Sequence, residues 1–263
     1  MTEMSKFKKT GKAVEHGGTA VCLAVILLFS ASAPALAWFL QKVFIPSDNT
    51  DTSVTSAVSS LPAPLPQFII DPGHGGEDGG CVGTDGTTEK DINLAVSLSI
   101  ADILRLFGCD VMLTRTDDVM LYDRTSDYHG QKKVQDLAAR LNCARQNPNA
   151  FFVSIHMNSY PSPKECGLQV WYSKNDPRSE GLAAAVQSAA REYLMPQNTR
   201  KIKPAGSGIY LLDRAVTPAV LIECGFLSNP EECARLCIGE YQKKLALTIA
   251  AACLAGAGNK AID

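Results

Sequence analysis

The sequence lacks the features of a nucleic-acid-binding protein. Its 25 basic residues are outnumbered by 27 acidic residues, the formal net charge is -2, and the isoelectric point is about 6.1. Beyond a short amino-terminal cluster, no basic stripe is present that could follow a phosphate backbone. Neither G-K-[ST] nor G-x-G-x-x-G follows the first predicted strand, which removes the common nucleotide-binding loops. We therefore expect no nucleic-acid partner.

The nine cysteines include no C-x-x-C pair. Cys109 opens a predicted strand, and Cys143 and Cys253 fall within predicted helices. This scatter is typical of small buried hydrophobic residues rather than of a disulfide framework. Cys233 and Cys237 lie four residues apart and could chelate a soft metal ion if both faced one side of a helix, which is the minor alternative.

Residues 17–40 lack any charged side chain and follow a lysine-rich amino terminus. Such a segment either spans a bilayer with its basic end in the cytoplasm or is a cleaved export signal. The small residues at 35–37 favour cleavage, whereas the apolar run at 38–40 favours an anchor, the interpretation we slightly prefer. A buried soluble helix is disfavoured because amphipathic periodicity is missing. Both favoured interpretations predict membrane contact through this segment and an extracytoplasmic location for the remainder.

The composition then changes to Ser, Thr, Asp and Pro, which predicts a flexible linker over residues 41–66. The predicted organisation is a basic tip with a transmembrane anchor or signal segment at 1–40, this linker, and a globular domain at 67–263. No internal repeat is visible.

Within the globular domain, apolar runs alternate with helical patterns. Strands are predicted at 68–70, 109–114, 151–155, 167–172, 208–212 and 218–223. Helices are predicted at 89–107, 134–146, 177–194 and 240–254, with a further helix capped by Asn229. This order predicts an α/β fold with three αβα layers around a central, six-stranded, mixed and largely parallel sheet.

Three of the predicted strands lead to residues that can bind a metal ion or transfer a proton. His74 follows the first strand after a Pro-Gly turn, His156 follows the strand at 151–155, and Glu223 ends the strand at 218–223. Open α/β sheets place their chemistry at the carboxyl ends of the strands. A catalytic zinc ion typically takes three protein ligands from His and Asp or Glu, and the two histidines could supply two of them.

The third ligand should be a carboxylate close to the first loop. Glu89 is favoured because it begins the first predicted helix just beyond a glycine-rich loop, which can fold back over the strand ends. Glu77, Asp78 and Asp85 are the competing carboxylates, and His129 is the main rival as a histidine ligand.

Glu223 is the candidate general base. A carboxylate at the end of an apolar strand is costly to bury unless it is paired or protonated, so a shifted pKa is expected. The structural alternative is a strand terminus that forms a salt bridge, for example with Arg115 or Arg140.

These segments resemble a known family, the zinc-dependent N-acetylmuramoyl-L-alanine amidases with an amidase-3 catalytic domain. The resemblance covers about residues 67–257. The matching segments are 70–76 (IDPGHGG), 89–91 (EKD), 154–158 (SIHMN) and 223–229 (ECGFLSN).

The resemblance implies that His74, Glu89 and His156 bind one zinc ion and that Glu223 is the catalytic glutamate. The implied reaction is hydrolysis of the amide between the lactyl group of N-acetylmuramic acid and L-alanine in peptidoglycan. One departure is Cys224, where a small or β-branched residue would be expected, because it brings a thiol close to the expected metal ion.

Within the family, the short chain without a wall-binding domain looks like the sporulation type, which prepares spore cortex for muramic-δ-lactam formation. Only eight residues separate Asn158 from the next predicted strand, at the place where autoinhibited cell-division members carry an inserted helix. The resemblance therefore implies an open site, with control by expression, localisation or a partner protein.

Two other functions are kept as alternatives. A zinc carboxypeptidase acting on wall peptides would need a cationic pocket, for which Arg115, Arg140 and Arg214 are candidates. An inactive wall-binding or scaffold protein is disfavoured because all four expected site residues are present.

Overall fold

The computed structural model describes residues 65–125 and 130–258. The predicted membrane or signal segment at 1–40, all but the last two residues of the predicted linker, and His129 lie outside these residues. In the two described ranges, no helix combines the length and the apolar character needed to cross a bilayer.

The described residues form strands and helices in alternation. The strands are β1 (Gln67–Pro72), β2 (Asp110–Leu113), β3 (Phe151–Asn158), β4 (Gln169–Tyr172), β5 (Lys203–Pro204) and β6 (Ala219–Phe226). The helices are α1 (Glu89–Leu106), α2 (Lys132–Gln146), α3 (Arg178–Tyr193), α4 (Tyr210–Arg214), α5 (Pro230–Leu236) and α6 (Gly239–Gly258).

The six strands form one sheet in the order β2-β1-β3-β6-β4-β5. All neighbouring pairs are parallel except β4 and β6, which are antiparallel. The predicted mixed and largely parallel sheet is therefore confirmed. Because β1, β3 and β6 are central neighbours, the residues at their carboxyl ends lie at one edge of the domain.

Both faces of the sheet are covered, which gives the three predicted layers. Helices α1, α3 and α6 pack on one face, and α2 and α4 pack on the other. Side chains alternate along each central strand, so that Phe68 and Ile70 enter the first core while Ile69 enters the second. Burial on both faces explains why these strands appear in the sequence as continuous apolar runs.

One predicted strand is wrong. Residues 208–212 do not form a strand, because Tyr210–Arg214 is the short helix α4. A short apolar run does not distinguish a strand from a helix. Leu211 and Leu212 are both buried against the same core, whereas a strand would send consecutive side chains to opposite faces. The fifth strand is instead β5, whose two residues are exposed and carry no apolar signal.

The carboxyl ends of two central strands extend further than predicted. Strand β3 continues to Asn158 and β6 to Phe226, so His156 and Glu223 lie inside strands and are direct neighbours in the register. The predicted cap of α5 is confirmed, since the side chain of Asn229 accepts hydrogen bonds from the first-turn backbone N–H groups.

Candidate metal centre

Two histidines and one glutamate converge above the carboxyl ends of β1 and β3. His74 Nε2 lies 3.3 Å from Glu89 Oε2, and His156 Nδ1 lies 2.9 Å from Glu89 Oε1. The two imidazole rings meet edge to face, with centroids 5.0 Å apart. One ligand atom of each residue lies within 4.8 Å of the ligand atoms of the other two, so a single metal ion could contact all three residues.

The loop between β1 and α1 has a strained backbone at His74, and two of its glycines lie very close to ligand side chains. Among the described residues, His74 is the single non-glycine residue with positive φ, at 61°. A Cβ atom at Gly73 would overlap the ring of His156, and one at Gly80 would lie 2.5 Å from Glu89 Oε2. Such strain persists only where the surrounding structure imposes it, and it is common at functional sites.

Glu89 is held in place by the backbone of two other segments. Its Oε1 accepts a hydrogen bond from the N–H of Met157 at 3.0 Å, and its Oε2 accepts one from the N–H of Cys81 at 2.9 Å. Burial would raise the pKa of Glu89, but hydrogen bonds with His156 and His74 outweigh this effect and hold the pKa well below its usual range. The group is therefore a carboxylate, as a metal ligand must be.

His74 is oriented by a neighbouring carboxylate. Its Nδ1 lies 2.8 Å from Asp78 Oδ2, which Lys133 also contacts, so that Nε2 remains the nitrogen facing Glu89. Burial would lower the pKa of His74, but the hydrogen bonds with Asp78 and Glu89 raise it to about 9. A metal ion at Nε2 must therefore displace a proton, and its binding should release protons to the solvent.

Two buried arginines hold the loop that carries His74. Arg115 donates to the carbonyl oxygens of Pro72 and Gly73, of Lys90 in α1 and of Asp117 after β2, with each bond near 3.0 Å. Arg140 donates to the carbonyl oxygens of Pro72 and His74 and forms ion pairs with Asp71 and Asp136. These guanidinium groups fix the backbone of the loop.

Glu223 lies beside this cluster. It is the register partner of His156 across β3 and β6. Among the described residues its Oε2 is buried and has no hydrogen-bond partner, and burial raises the pKa of the carboxyl to about 7. The structural alternative, a salt bridge with Arg115 or Arg140, is not formed, because both arginines donate to the loop and its neighbours. A buried, unpaired carboxylate with this pKa is suited to proton transfer.

The competing candidates have other surroundings. Glu77 forms an exposed ion pair with Lys132. Asp78 contacts the far nitrogen of His74 rather than joining the ligand cluster, and Asp85 lies with two cysteines at a different place. Cys224 is fully buried in the core between the sheet and α1 and α6, outside the ligand cluster.

Supporting residues were missed by the sequence-based predictions. Asp78 was considered only as a ligand, although its position four residues after His74 in a tight turn is compatible with an orienting role. The amide of Asn93 donates to Gly73 O and Glu89 Oε1 from one turn further along α1, a spacing that could have indicated it. Lys133 carried no recognisable signal, because its proximity to Asp78 arises from the path of a long loop.

The donor set fits a zinc ion. Two imidazole nitrogens and one carboxylate leave a fourth tetrahedral position open, which is the usual composition of a catalytic zinc site. A ligand cluster with an unpaired buried carboxylate beside it, at the carboxyl ends of a largely parallel sheet, is typical of a metallohydrolase.

Comparison with known proteins identifies the family within this class. The family Amidase_3, N-acetylmuramoyl-L-alanine amidase, matches residues 68–255, and the chain belongs to it. The germination-specific N-acetylmuramoyl-L-alanine amidase of Bacillus subtilis (strain 168) is 37% identical over 190 residues, which cover 72% of this chain and 79% of the relative. AmiA of Escherichia coli (strain K12) is 29% identical over 69% of this chain and 73% of that protein.

Solved structures show the same fold. The CwlD amidase of Clostridioides difficile, determined in complex with the GerS lipoprotein, has a TM-score of 0.68 and 37% identity, over 73% of this chain and 98% of CwlD. An N-acetylmuramoyl-L-alanine amidase from Clostridium difficile 630 has a TM-score of 0.62 and 30% identity, over 73% and 96% of the two chains. The activity is accordingly that of an N-acetylmuramoyl-L-alanine amidase, a hydrolase that acts on peptidoglycan outside the cytoplasm.

Proposed function

We propose that the protein is a zinc-dependent amidase in which His74, Glu89 and His156 hold one zinc ion and Glu223 is the general base. The observation that carries the proposal is the convergence of three ligand atoms beside a buried carboxylate whose Oε2 has no partner among the described residues. Residues 67–263 form the catalytic domain in this proposal, after the anchor or signal segment at 1–40 and the linker at 41–66.

The ligands are Nε2 of His74, Nδ1 of His156 and the carboxylate of Glu89. A zinc ion in such a site supplies Lewis acidity, which polarises a carbonyl group and lowers the pKa of bound water to about 7. The chain itself orients the ligands through Asp78 at His74 Nδ1 and through the backbone N–H groups that hold Glu89. These outer contacts fix the ligand geometry before any ion binds.

Glu223 moves the proton. Its carboxylate accepts a proton from the attacking water and then returns it to the nitrogen of L-alanine, which leaves as a free amine. Burial favours this role because it raises the basicity of the carboxylate.

The contacts of the arginines disfavour a carboxypeptidase. Arg115 and Arg140 are buried and donate to loop carbonyls and carboxylates, so neither is available to bind a substrate carboxylate. Arg214 lies on α4 with its guanidinium 4.3 Å from the ring centroid of Tyr210 and pairs with Asp213. None of these three arginines is therefore free to pair with the terminal carboxylate of a substrate.

We further propose that the enzyme acts on spore cortex, where amide cleavage precedes muramic-δ-lactam formation. The germination-specific relative in Bacillus subtilis and the similarity to CwlD support this role. CwlD was determined in complex with the GerS lipoprotein, and we propose that the present protein likewise has a protein partner. Attachment to the membrane through residues 17–40 would keep the catalytic domain next to its substrate.

The decisive experiment uses the full-length protein, purified in detergent, with and without one equivalent of zinc on isolated peptidoglycan. Mass spectrometry should find stem peptides with a free L-alanine amine when zinc is present, and none from the Glu223→Gln variant. Products that form equally well after complete metal removal would refute the zinc proposal.

The cortex role is tested in a spore former that lacks its own cortex amidase. Expression of the wild-type chain should restore muramic-δ-lactam to the cortex peptidoglycan, and Glu223→Gln should not. Normal amidase products in vitro without restored lactam would reject the cortex role and leave the amidase proposal standing.

A further inference from the structure

A second group of metal-binding side chains lies apart from the first and shares no residue with it. Asp85 is in the loop between β1 and α1, Cys233 is in α5, and Cys237 is the residue that caps the carboxyl end of α5. Cys233 Sγ lies 3.4 Å from Asp85 Oδ1, and Cys237 Sγ lies 3.5 Å from Asp85 Oδ2. All three ligand atoms lie within 4.8 Å of one another.

We propose that Asp85, Cys233 and Cys237 form a second site for a thiophilic divalent cation, of which zinc is the expected one. Two thiolates and one carboxylate are ligands that zinc accepts in tetrahedral sites, whereas calcium and magnesium take oxygen ligands only. The fourth position would be taken by water or by Thr87 Oγ1, which lies 3.4 Å from Cys237 Sγ.

The geometry is already arranged by local contacts. The carboxylate of Asp85 accepts a hydrogen bond from the N–H of Thr87 at 2.9 Å, which closes a tight turn. A Cβ atom at Gly83 would lie 2.6 Å from Cys233 Sγ, so this glycine allows the loop to approach the thiol. The spacing of four residues places both thiols on one side of α5, where the loop meets them.

The carboxylate of Asp85 has no side-chain cation beside it among the described residues. Asp85 is an exposed side chain whose carboxylate accepts a hydrogen bond from the N–H of Thr87. In residues 65–125 and 130–258, no lysine or arginine forms an ion pair with Asp85. A cation bound between this carboxylate and the two sulfur atoms would supply the missing charge partner.

The exposure of the residues suits a site that exchanges its ion with solvent. Cys233 is buried, whereas Cys237 and Asp85 are exposed. An ion bound there would join the β1–α1 loop to α5, since Asp85 and Cys233 are 148 residues apart in the chain. Because Thr87 and Thr88 lead directly into α1, the ion would also fix the start of the helix that carries Glu89. Its role is therefore structural, and zinc should raise the melting temperature through this site.

The first test counts bound metal. The full-length protein, loaded with zinc and dialysed, should contain two equivalents by elemental mass spectrometry. Cys237→Ser and Asp85→Asn, both at exposed positions, should each reduce this by one equivalent. Cys166→Ser removes an exposed thiol outside the group and should leave the content unchanged. An unchanged zinc content in both Cys237→Ser and Asp85→Asn would overturn the proposal.

The second test identifies the ligands without reference to amidase activity. Cobalt(II) bound by thiolates gives a charge-transfer absorption in the near ultraviolet that the His74, Glu89 and His156 cluster does not produce. This band should persist in His156→Ala and disappear in Cys237→Ser. Its absence from the cobalt-loaded wild type would overturn the second site, whatever is found for the first.

The third test addresses the competing fate of the two thiols. Mass spectrometry of protein prepared without reductant should show Cys233 and Cys237 as free thiols once zinc is bound. If the two thiols instead form a Cys233–Cys237 disulfide quantitatively in the presence of zinc, they are a redox pair and not metal ligands. That result would overturn the proposal.

Discussion

The centre of the sheet and its β4–β5 edge differ in how they use polar groups. In the centre, β1, β3 and β6 are buried on both faces, Asp71 and Arg140 form a buried ion pair, and Oε2 of Glu223 is buried without a hydrogen-bond partner among the described residues. At the edge, β5 is two exposed residues long, and Lys203 lies 5.3 Å from the ring centroid of Trp171 at the surface.

The difference shows where a polar group has large effects. A buried charge interacts strongly with its partners and leaves them unsatisfied when it is removed, whereas water replaces a lost partner at the surface. The proposed mechanism depends on the first kind of group, because Glu223 is its general base. Substitutions in the centre should therefore alter activity and stability far more than matched substitutions near the edge.

The largest effect is expected for Glu223→Gln. The amide cannot accept the proton of the attacking water, so the amidase rate should fall by about 10²-fold to 10⁴-fold while zinc remains bound. Release of stem peptides, followed by mass spectrometry, measures the rate. Glu180→Gln is the matched control near the edge, where Glu180 accepts a hydrogen bond from Tyr172, and it should retain wild-type activity. A wild-type rate in Glu223→Gln would remove Glu223 from the mechanism.

His156→Ala should weaken zinc binding at the first site. Loss of a residue that only orients a metal ligand typically lowers metal affinity by about 10-fold to 100-fold. Loss of one of the three ligands themselves should lower the zinc affinity at least as much. Titration with zinc and a competing chelator measures the affinity. Full retention of tight binding would show that another residue is the ligand.

Arg140→Met tests the buried network behind the loop. Removing the guanidinium leaves the carboxylates of Asp71 and Asp136 buried without their cation, which should lower the free energy of unfolding by about 3–5 kcal/mol. Denaturant titration gives this value. Arg178→Met breaks a more exposed pair with Asp176 and should cost no more than about 1 kcal/mol. Equal losses in the two variants would contradict the contrast between a buried and a more exposed ion pair.

The same network should make the free energy of unfolding depend on pH in the acidic range. Burial would raise the pKa of Asp71, but Arg140, Ser154 and Thr114 outweigh it and keep the pKa below its usual range. A carboxyl with a lowered folded-state pKa contributes stability above its unfolded pKa of about 3.9, and this contribution is lost as the pH falls through the folded value. The unfolding free energy of the wild type should thus decrease below about pH 4. In Arg140→Met the folded-state pKa of Asp71 should rise towards or above its unfolded value, so this part of the decrease in acid should become smaller, and an unchanged profile would argue against the pairing.

The smallest effect is expected for Lys203→Ala at the edge. The contact with Trp171 is a surface cation–π interaction, whose loss should cost about 0.5–1 kcal/mol. Amidase activity should stay at the wild-type level. A large loss of activity would show that the edge takes part in the function after all.

Sequence patterns predicted the central elements well because local burial leaves a strong signal. Strands β1, β3 and β6 appear as apolar runs, and the cap of α5 appears as Asn229 followed by proline, since a cap depends on adjacent residues only. The same patterns failed at α4 and β5. Two apolar residues at 211–212 do not define a period, and an exposed two-residue strand is defined by its neighbour rather than by its own side chains.

The sequence by itself determined the α/β class, the family motifs and the three strand ends that bear His74, His156 and Glu223. Only the tertiary structure decided which carboxylate meets the two histidines. Glu89 does so because the N–H of Cys81 in the adjoining loop and the N–H of Met157 in the distant strand β3 hold it there, while Asp85 contacts a cysteine 148 residues away. Such contacts arise from the path of the glycine-rich loop, which depends on what packs around it and leaves no periodic pattern in the chain.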